Sequence, residues 1–327
     1  MTTARSQACD YLKLFGFGNN KVSYYRASDL QPVSRGDYDN LQLLGVSIGW
    51  DHVLACLADG ANHMVYWTSD KLVKKLTTCL SSVCSVALVD RDITLLLTTS
   101  RNVIYLKGSS SNVVASNVTS IACCNVTISS NAVNSNMCCV LLQQGQLLFL
   151  KENHMIQHVR LPVLIQEVTC GHNHLLLLDT SGHVYSCGHG NRGQLCQGDT
   201  TNRTYPMVID LTVAVTMIKI SAGGWHSAML SNCHDVYTSG WNCDGQLGHS
   251  DDIAIVTQPT LVATDDSVQF KLVSCGSRHT VAISNTNKLF TWGWNKYNQL
   301  PLPWQQDTVI INVQCGHWST LLVTTSP

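Results

Sequence analysis

The chain writes Gly-x-x-His four times, at Gly49 to His52, Gly171 to His174, Gly223 to His226 and Gly276 to His279, each at the start of an apolar run. Three of these tetrads open longer copies that overlay on one another: VTCGHNHLLLLDTSGHVYSCGHGNRGQL, ISAGGWHSAMLSNCHDVYTSGWNCDGQL and VSCGSRHTVAISNTNKLFTWGWNKYNQL. Their tetrad glycines recur at intervals of 52 and 53 residues, close to the roughly 40 to 50 residues of a four-stranded propeller blade. Self-similarity at a fixed spacing decides the architecture before any catalytic motif does.

Each copy reads as strand, turn, strand. In the last, Thr280 to Ser284 is a short apolar run, Asn285-Thr286-Asn287-Lys288 a turn, and Leu289 to Trp292 a second run of strand-forming residues. No window sustains a 3.6-residue period, so the chain is read as all-β. The same rhythm upstream picks out three degenerate copies, His52 to Ala58 with Met64 to Thr68, Ile93 to Thr98 with Val103 to Leu106, and Met137 to Leu142 with Leu147 to Leu150. The repeat units so predicted span 44–69, 86–108 and 118–151 for the degenerate copies and 166–199, 217–250 and 270–302 for the clear ones.

The two ends supply a seventh unit. Val313 to Val323 is a tetrad-like start, with Gly316 as its glycine, followed by one strand; Leu12 to Asn20 overlays on Leu289 to Asn295, with Phe15 and Phe17 standing where Trp292 and Trp294 stand. The expectation is a seven-bladed β-propeller, one domain over 1–327, its ring closed by a blade shared between 10–20 and 311–325. Such a join removes the open sheet edge that a linear array would leave.

These motifs resemble the regulator-of-chromosome-condensation (RCC) repeat, a family of seven-bladed propellers. An N-terminal FGFG, a GGWHS copy, CGSRHT followed by FTWGWNKYNQL, and a terminal CGHWST come in an order similar to that of one small animal branch of the family. That resemblance implies a partner, a JmjC-domain iron and 2-oxoglutarate oxygenase acting on chromatin, with a role in histone methylation control and chromosome segregation and residence in the nucleus. Iron and oxoglutarate would belong to the partner, and no cofactor is expected here. The founding branch implies instead guanine-nucleotide exchange on a small nuclear GTPase, with segments 199–216 and 249–269 as inserting loops. A third branch senses light through clustered tryptophans.

Composition narrows the choice. Charged residues are only 13% of the chain and apolar residues 45%, against about a quarter charged in an average domain, so much of the chain must be buried between units. Twenty basic and 21 acidic residues leave a net charge of −1, and Lys71, Lys74 and Lys75 form the one basic cluster. Direct DNA binding, which draws on many phosphate contacts from a basic face, is not expected. No signal-peptide pattern and no apolar run near 20 residues stands in the sequence, so an intracellular, soluble, monomeric protein that meets no membrane is expected, in nucleus or cytoplasm. The 15 cysteines contain no Cys-x-x-Cys; Cys170, Cys275 and Cys315 precede tetrad glycines and read as reduced packing residues.

Several motifs are decoys. Gly188 to Gly193 matches the dinucleotide fingerprint, but Gln194-Leu195-Cys196-Gln197-Gly198-Asp199 cannot open a long helix, and the next copy carries Gly240 to Gly245 at the same place without the fingerprint. No nucleophile elbow, His-Glu-x-x-His or phosphate loop is present, and the chain is read as no enzyme. A metal-binding ring of tetrad histidines is set aside because only four units carry one. Instead each His is expected to tie down its own loop beside the tetrad glycine.

What remains is surface. The two residues between tetrad glycine and fourth position should share one face of the disc: Trp50 with Asp51, His172 with Asn173, Gly224 with Trp225, Ser277 with Arg278, and His317 with Trp318. Trp and Arg are enriched at binding hot spots, which makes this rim the candidate partner site, with Gly49, His52, Gly171, His174, Gly223, His226, Gly276, His279 and Gly316 as its structural frame. The alternative is that these tryptophans brace the loops. Trp241, Trp292 and Trp294 are assigned to packing.

Overall fold

In a computed structural model, the described residues are 11–15, 23–26, 42–48, 53–59, 62–69, 72–77, 83–90, 93–98, 100–107, 110–124, 137–142, 144–150, 156–211, 214–249, 253–265, 268–296, 298–300 and 309–324. Among them every regular element is a strand. The strands fall into antiparallel meanders. The first is β1 (Tyr11–Phe15) with β2 (Ser23–Arg26); then come β3 (Gln42–Ile48), β4 (Val53–Asp59), β5 (Asn62–Ser69) and β6 (Leu72–Thr77), and β7 (Val83–Asp90), β8 (Ile93–Thr98), β9 (Val103–Lys107) and β10 (Ser110–Ala115). A further four are β11 (Val118–Cys124), β12 (Met137–Leu142), β13 (Leu147–Leu150) and β14 (Ile156–Val159).

The clear repeats follow as β15 (Ile165–Cys170), β16 (His174–Asp179), β17 (Val184–Gly188) and β18 (Arg203–Val208), and as β19 (Met217–Ala222), β20 (His226–Ser231), β21 (Val236–Trp241) and β22 (Ile255–Leu261). A three-stranded sheet holds β23 (Phe270–Cys275), β24 (His279–Ser284) and β25 (Leu289–Gly293). The last strands, β26 (Ile310–Cys315) and β27 (Thr320–Thr324), do not stand alone: β27 pairs with β1 from Tyr11↔Thr324 to Phe15↔Thr320, giving a sheet ordered β2-β1-β27-β26.

Burial explains why the sequence reading found the inner strands and not the outer ones. The second strand of each clear unit is buried on both faces: all six residues of β16, β20 and β24 and all five of β27 are buried. Such strands read as short, largely apolar runs without an exposed alternate face because a neighbouring sheet covers each side. Leu175 and Leu177 pack with Phe149 and Val168, while Leu176 and Leu178 on the opposite face pack with Met217, Ile220 and Met229. Each such leucine contributes roughly 1.5–3 kcal/mol by burial. The outer strands β18 and β22 are mostly exposed and carry no such signal. They lie within segments 199–216 and 249–269, so a third of each segment named for the exchange-factor alternative is sheet strand.

The fingerprint match after β17 leads into turns, as the repeat comparison requires. Cys275 and Cys315 carry free thiols that burial pushes up to about 12, in keeping with packing and not reactivity.

Candidate functional site

The three Gly-x-x-His tetrads among the described residues build the same corner. The Gly223 N–H donates to the His226 carbonyl at 2.8 Å, and Gly171 with His174 and Gly276 with His279 repeat the bond at 2.9 and 2.8 Å. The imidazole folds back over its own glycine: a Cβ on Gly223 would overlap the His226 ring and sit 2.6 Å from the Gly276 carbonyl oxygen of the next sheet. Only glycine fits between them. Gly49, Trp50, Asp51 and His52 lie outside the described residues.

The far ring nitrogen leaves the loop. His174 Nε2 lies 3.0 Å from Ser227 Oγ, His226 Nε2 2.9 Å from Thr280 Oγ1, and His279 Nε2 3.0 Å from Thr320 Oγ1, each on the next sheet. Those hydroxyls donate onward, at 2.7 Å in each case, to the carbonyls of Gln194, Gln246 and Gln299. A hydroxyl has one proton to give, so it accepts from the imidazole, and each ring is the neutral Nε2–H tautomer. Burial agrees, holding His174 and His226 down to about 3 and His279 to about 4. From the sequence each His is expected to tie down its own loop by hydrogen bonds; its ring does cover its own glycine, but the Nε2 bond joins two sheets.

This staple sets the corner loops side by side. Their backbones bond across sheets, His172 N–H to Gly224 O at 3.2 Å, Gly224 N–H to Gly276 O at 3.1 Å and Ser277 N–H to His317 O at 3.2 Å. A second loop joins each corner. Gly240, at φ +116°, turns the chain at the end of β21 so tightly that a Cβ would lie 2.6 Å from His226 Cα, and Trp241 N–H then donates to Trp225 O at 2.9 Å. His189 with Asn173 and Trp294 with Arg278 form the same pair at 2.8 and 2.9 Å.

The result is a continuous row of half-buried rings and guanidinium groups. His317 meets His172 edge-on at 6.0 Å, His172 stacks on Trp225 at 5.3 Å, and Trp225 meets Trp241 edge-on at 5.5 Å. Arg192 Cζ lies 4.6 Å from the ring centres of both Trp225 and Trp241. Arg278 Cζ lies 4.7 Å from Trp241 and 4.9 Å from Trp294, and Trp294 meets Trp318 at 4.9 Å. Arg278 Nε is also paired with Asp244 Oδ2 at 2.7 Å. Burial lowers His172 and, reinforced by His172, takes His317 to about 4, so neither histidine is charged near neutral pH. The row's positive charge therefore rests on the two arginines.

Of the residues singled out from sequence, His172, Trp225, Arg278, His317 and Trp318 are all in this row, and Asn173 flanks it through its carbonyl. Sequence reasoning missed Arg192, Asp244, Trp241 and Trp294. Trp292 does pack in the core against Phe270 and Phe290, as assigned. Trp241 and Trp294, in contrast, each follow a positive-φ glycine that turns them onto the neighbouring Gly-x-x-His loop. The signal was the place in the repeat: Gly-x at the end of the third strand. Among the described residues no group of three or more His, Cys, Asp or Glu is placed to hold a metal.

Comparison with known proteins agrees with the repeat pattern. The regulator of chromosome condensation (RCC1) repeat matches at residues 181–230 and 234–283, and a second form of it at 165–194 and 270–299. Human "RCC1 domain-containing protein 1" is 30% identical over 47% of this chain and 55% of its own length, so the chain spans about half of that relative. The "Ultraviolet-B receptor UVR8" of Arabidopsis thaliana is 33% identical over 42% of this chain and 31% of its own. In fold, the crystal structure of human WBSCR16 aligns with 98% of this chain and 100% of its own at a TM-score of 0.74 and 15% identity. Between residues 165 and 299, where the three stapled corners stand, the chain carries RCC1 repeats.

Proposed function

We propose that the sheets are the seven blades of one closed propeller, joined where β1 pairs with β27, and that this disc is a non-enzymatic, monomeric platform gripping a partner protein through the Trp–Arg row. The row itself carries the reading. Four indoles and two guanidinium groups, half-buried and in mutual contact, form a surface of the residue types that dominate interface energetics, on loops that the histidine staples hold in place.

The partner we propose is the JmjC-domain oxygenase that the family resemblance implies, which would give the chain its part in histone methylation control, chromosome segregation and nuclear residence. The test is affinity capture from nuclear extract with the wild-type chain and a folded Trp241→Ala/Trp294→Ala variant. Recovery of a JmjC oxygenase by the first and its loss from the second supports the reading. Recovery of a small GTPase, with accelerated nucleotide release, replaces it with the exchange-factor function; equal recovery of the oxygenase by both chains removes the row from the account.

A second reading, ultraviolet-B sensing, draws support from the same four indoles and from the similarity to a receptor of that name. Illumination that alters neither tryptophan fluorescence nor oligomeric state would exclude it.

A further inference from the structure

Two turns of the repeat occupy the same place on successive sheets and differ in charge. Gly188-His189-Gly190-Asn191-Arg192-Gly193-Gln194-Leu195 and Gly240-Trp241-Asn242-Cys243-Asp244-Gly245-Gln246-Leu247 align without a gap. Arg192 N–H donates to Gln194 Oε1 at 2.9 Å and Asp244 N–H to Gln246 Oε1 at 3.0 Å, and the following glycines have φ of +76° and +74°. Arg192 and Asp244 are therefore equivalent positions, each leaning over the Gly-x-x-His loop of the next sheet.

The loops they meet differ too. Asp244 meets Arg278 in an ion pair within the chain, Oδ2 to Nε at 2.7 Å, with side chains only 16% and 26% exposed. Arg192 meets Trp225, the residue at the place of Arg278, together with Trp241. Indoles stabilise a cation through their ring faces but offer no oxygen to its N–H donors. Among the described residues no carboxylate pairs with the Arg192 guanidinium and no oxygen accepts from it. The site next door shows what is missing: one carboxylate at the edge of a guanidinium held against indoles.

We propose that Arg192, held against Trp225 and Trp241, is the receptor for an Asp or Glu side chain on an acidic segment of the partner protein. The inference rests on the platform reading above and names the chemistry of what that face grips. A planar guanidinium fixed by two rings is preorganised for a two-pronged bond to a carboxylate, and partial burial strengthens that bond over a fully solvated one. The chain's own pairing of Arg278, a guanidinium held against two indoles, with the Asp244 carboxylate favours a carboxylate over a phosphate.

The test uses the full chain and its own tryptophan fluorescence, titrated with a glutamate-rich dodecapeptide, the same peptide with glutamine throughout, and the same peptide with phosphoserine. The glutamate peptide should bind the wild type at least tenfold more tightly than the glutamine peptide does. Arg192→Gln should erase that preference, and Arg192→Lys, which keeps the charge but loses the fork, should retain part of it, both at unchanged Tm. No preference for glutamate, or a preference that survives in Arg192→Gln, overturns the proposal; tighter binding of phosphoserine replaces the carboxylate with a phosphate. The same variants in the oxygenase capture separate the two claims. If the glutamate preference depends on Arg192 while capture is indifferent to Arg192→Gln and to Trp241→Ala, the receptor stands and the platform reading falls. If Trp241→Ala loses capture and Arg192→Gln keeps both capture and the glutamate preference, the platform stands and the receptor falls.

Discussion

The corners at Gly276 and Gly316 differ at their fourth residue, and the difference isolates what the histidine does. Both fold into the same loop: Gly276 N–H bonds His279 O, and Gly316 N–H bonds Ser319 O, each at 2.8 Å. Yet His279 reaches Thr320 on the next sheet, while the buried Ser319 hydroxyl has no hydrogen-bond partner among the described residues. The loop therefore does not need imidazole; the junction between sheets does. The receiving side follows the donor. Ser227, Thr280 and Thr320 stand where a histidine precedes them by one sheet, whereas Leu175 follows a unit with no Gly-x-x-His, and Val53 opens the strand that the ring reading places after Ser319. At the described corners, each histidine has its hydroxyl, and the two form one device.

The comparison can be broken most severely at the glycine. Gly223→Ala puts a methyl into the His226 ring and against the Gly276 carbonyl; a loss of at least about 3 kcal/mol is expected, measured by urea unfolding, with failure to fold as the extreme. Next comes the ring itself. His226→Ala leaves a cavity and removes a buried donor, and should cost roughly 2–4 kcal/mol, whereas Ser319→Ala, with no staple to lose, should cost under about 1 kcal/mol.

Acid offers a milder break. An imidazole held below its ordinary value of 6.5 binds its proton in the unfolded chain before the folded one. Its contribution is therefore fully present above pH 6.5 and is lost as pH falls towards about 4 for His279 and about 3 for His174 and His226. In that window each histidine should remove roughly 1.4 kcal/mol per pH unit. The slope of stability against pH between 6 and 4.5 should be shallower in a His226→Gln chain by one proton's share.

The smallest effect sharpens the comparison by adding a staple. Ser319→His with Val53→Thr should recover a favourable coupling of about 1 kcal/mol beyond the sum of the two single changes, read from a double-mutant cycle. Zero coupling would count against both the paired device and the closed ring on which the substitution depends.

What the sequence made legible was whatever burial forces into a pattern. Gly171, Gly223 and Gly276 could be recognised because no other residue fits beneath the ring, and β16, β20 and β24 because neighbouring sheets bury every position and fill their middles with apolar side chains. β18 and β22 were not legible, since a strand with one neighbour and mostly exposed side chains is free in composition. The direction of the histidine bonds was hidden because the acceptors lie 53, 54 and 41 residues away. They become readable only when His and the later Ser or Thr are considered together. Half of the Trp–Arg row was found from the positions inside the Gly-x-x-His tetrads. Arg192, Trp241 and Trp294 were missed because the loop that brings them there depends on left-handed backbone at Gly188, Gly240 and Gly293, which a letter alone does not show.

The central claim is that these corner loops, and not the outer strands, are what a partner grips. Hydrogen–deuterium exchange of the chain alone and with the JmjC oxygenase proposed as its partner tests it directly. The account predicts new protection in peptides covering 189–194, 223–226, 240–246, 276–279, 293–295 and 316–319. Protection confined to β18 and β22, with the corners unchanged, would contradict it.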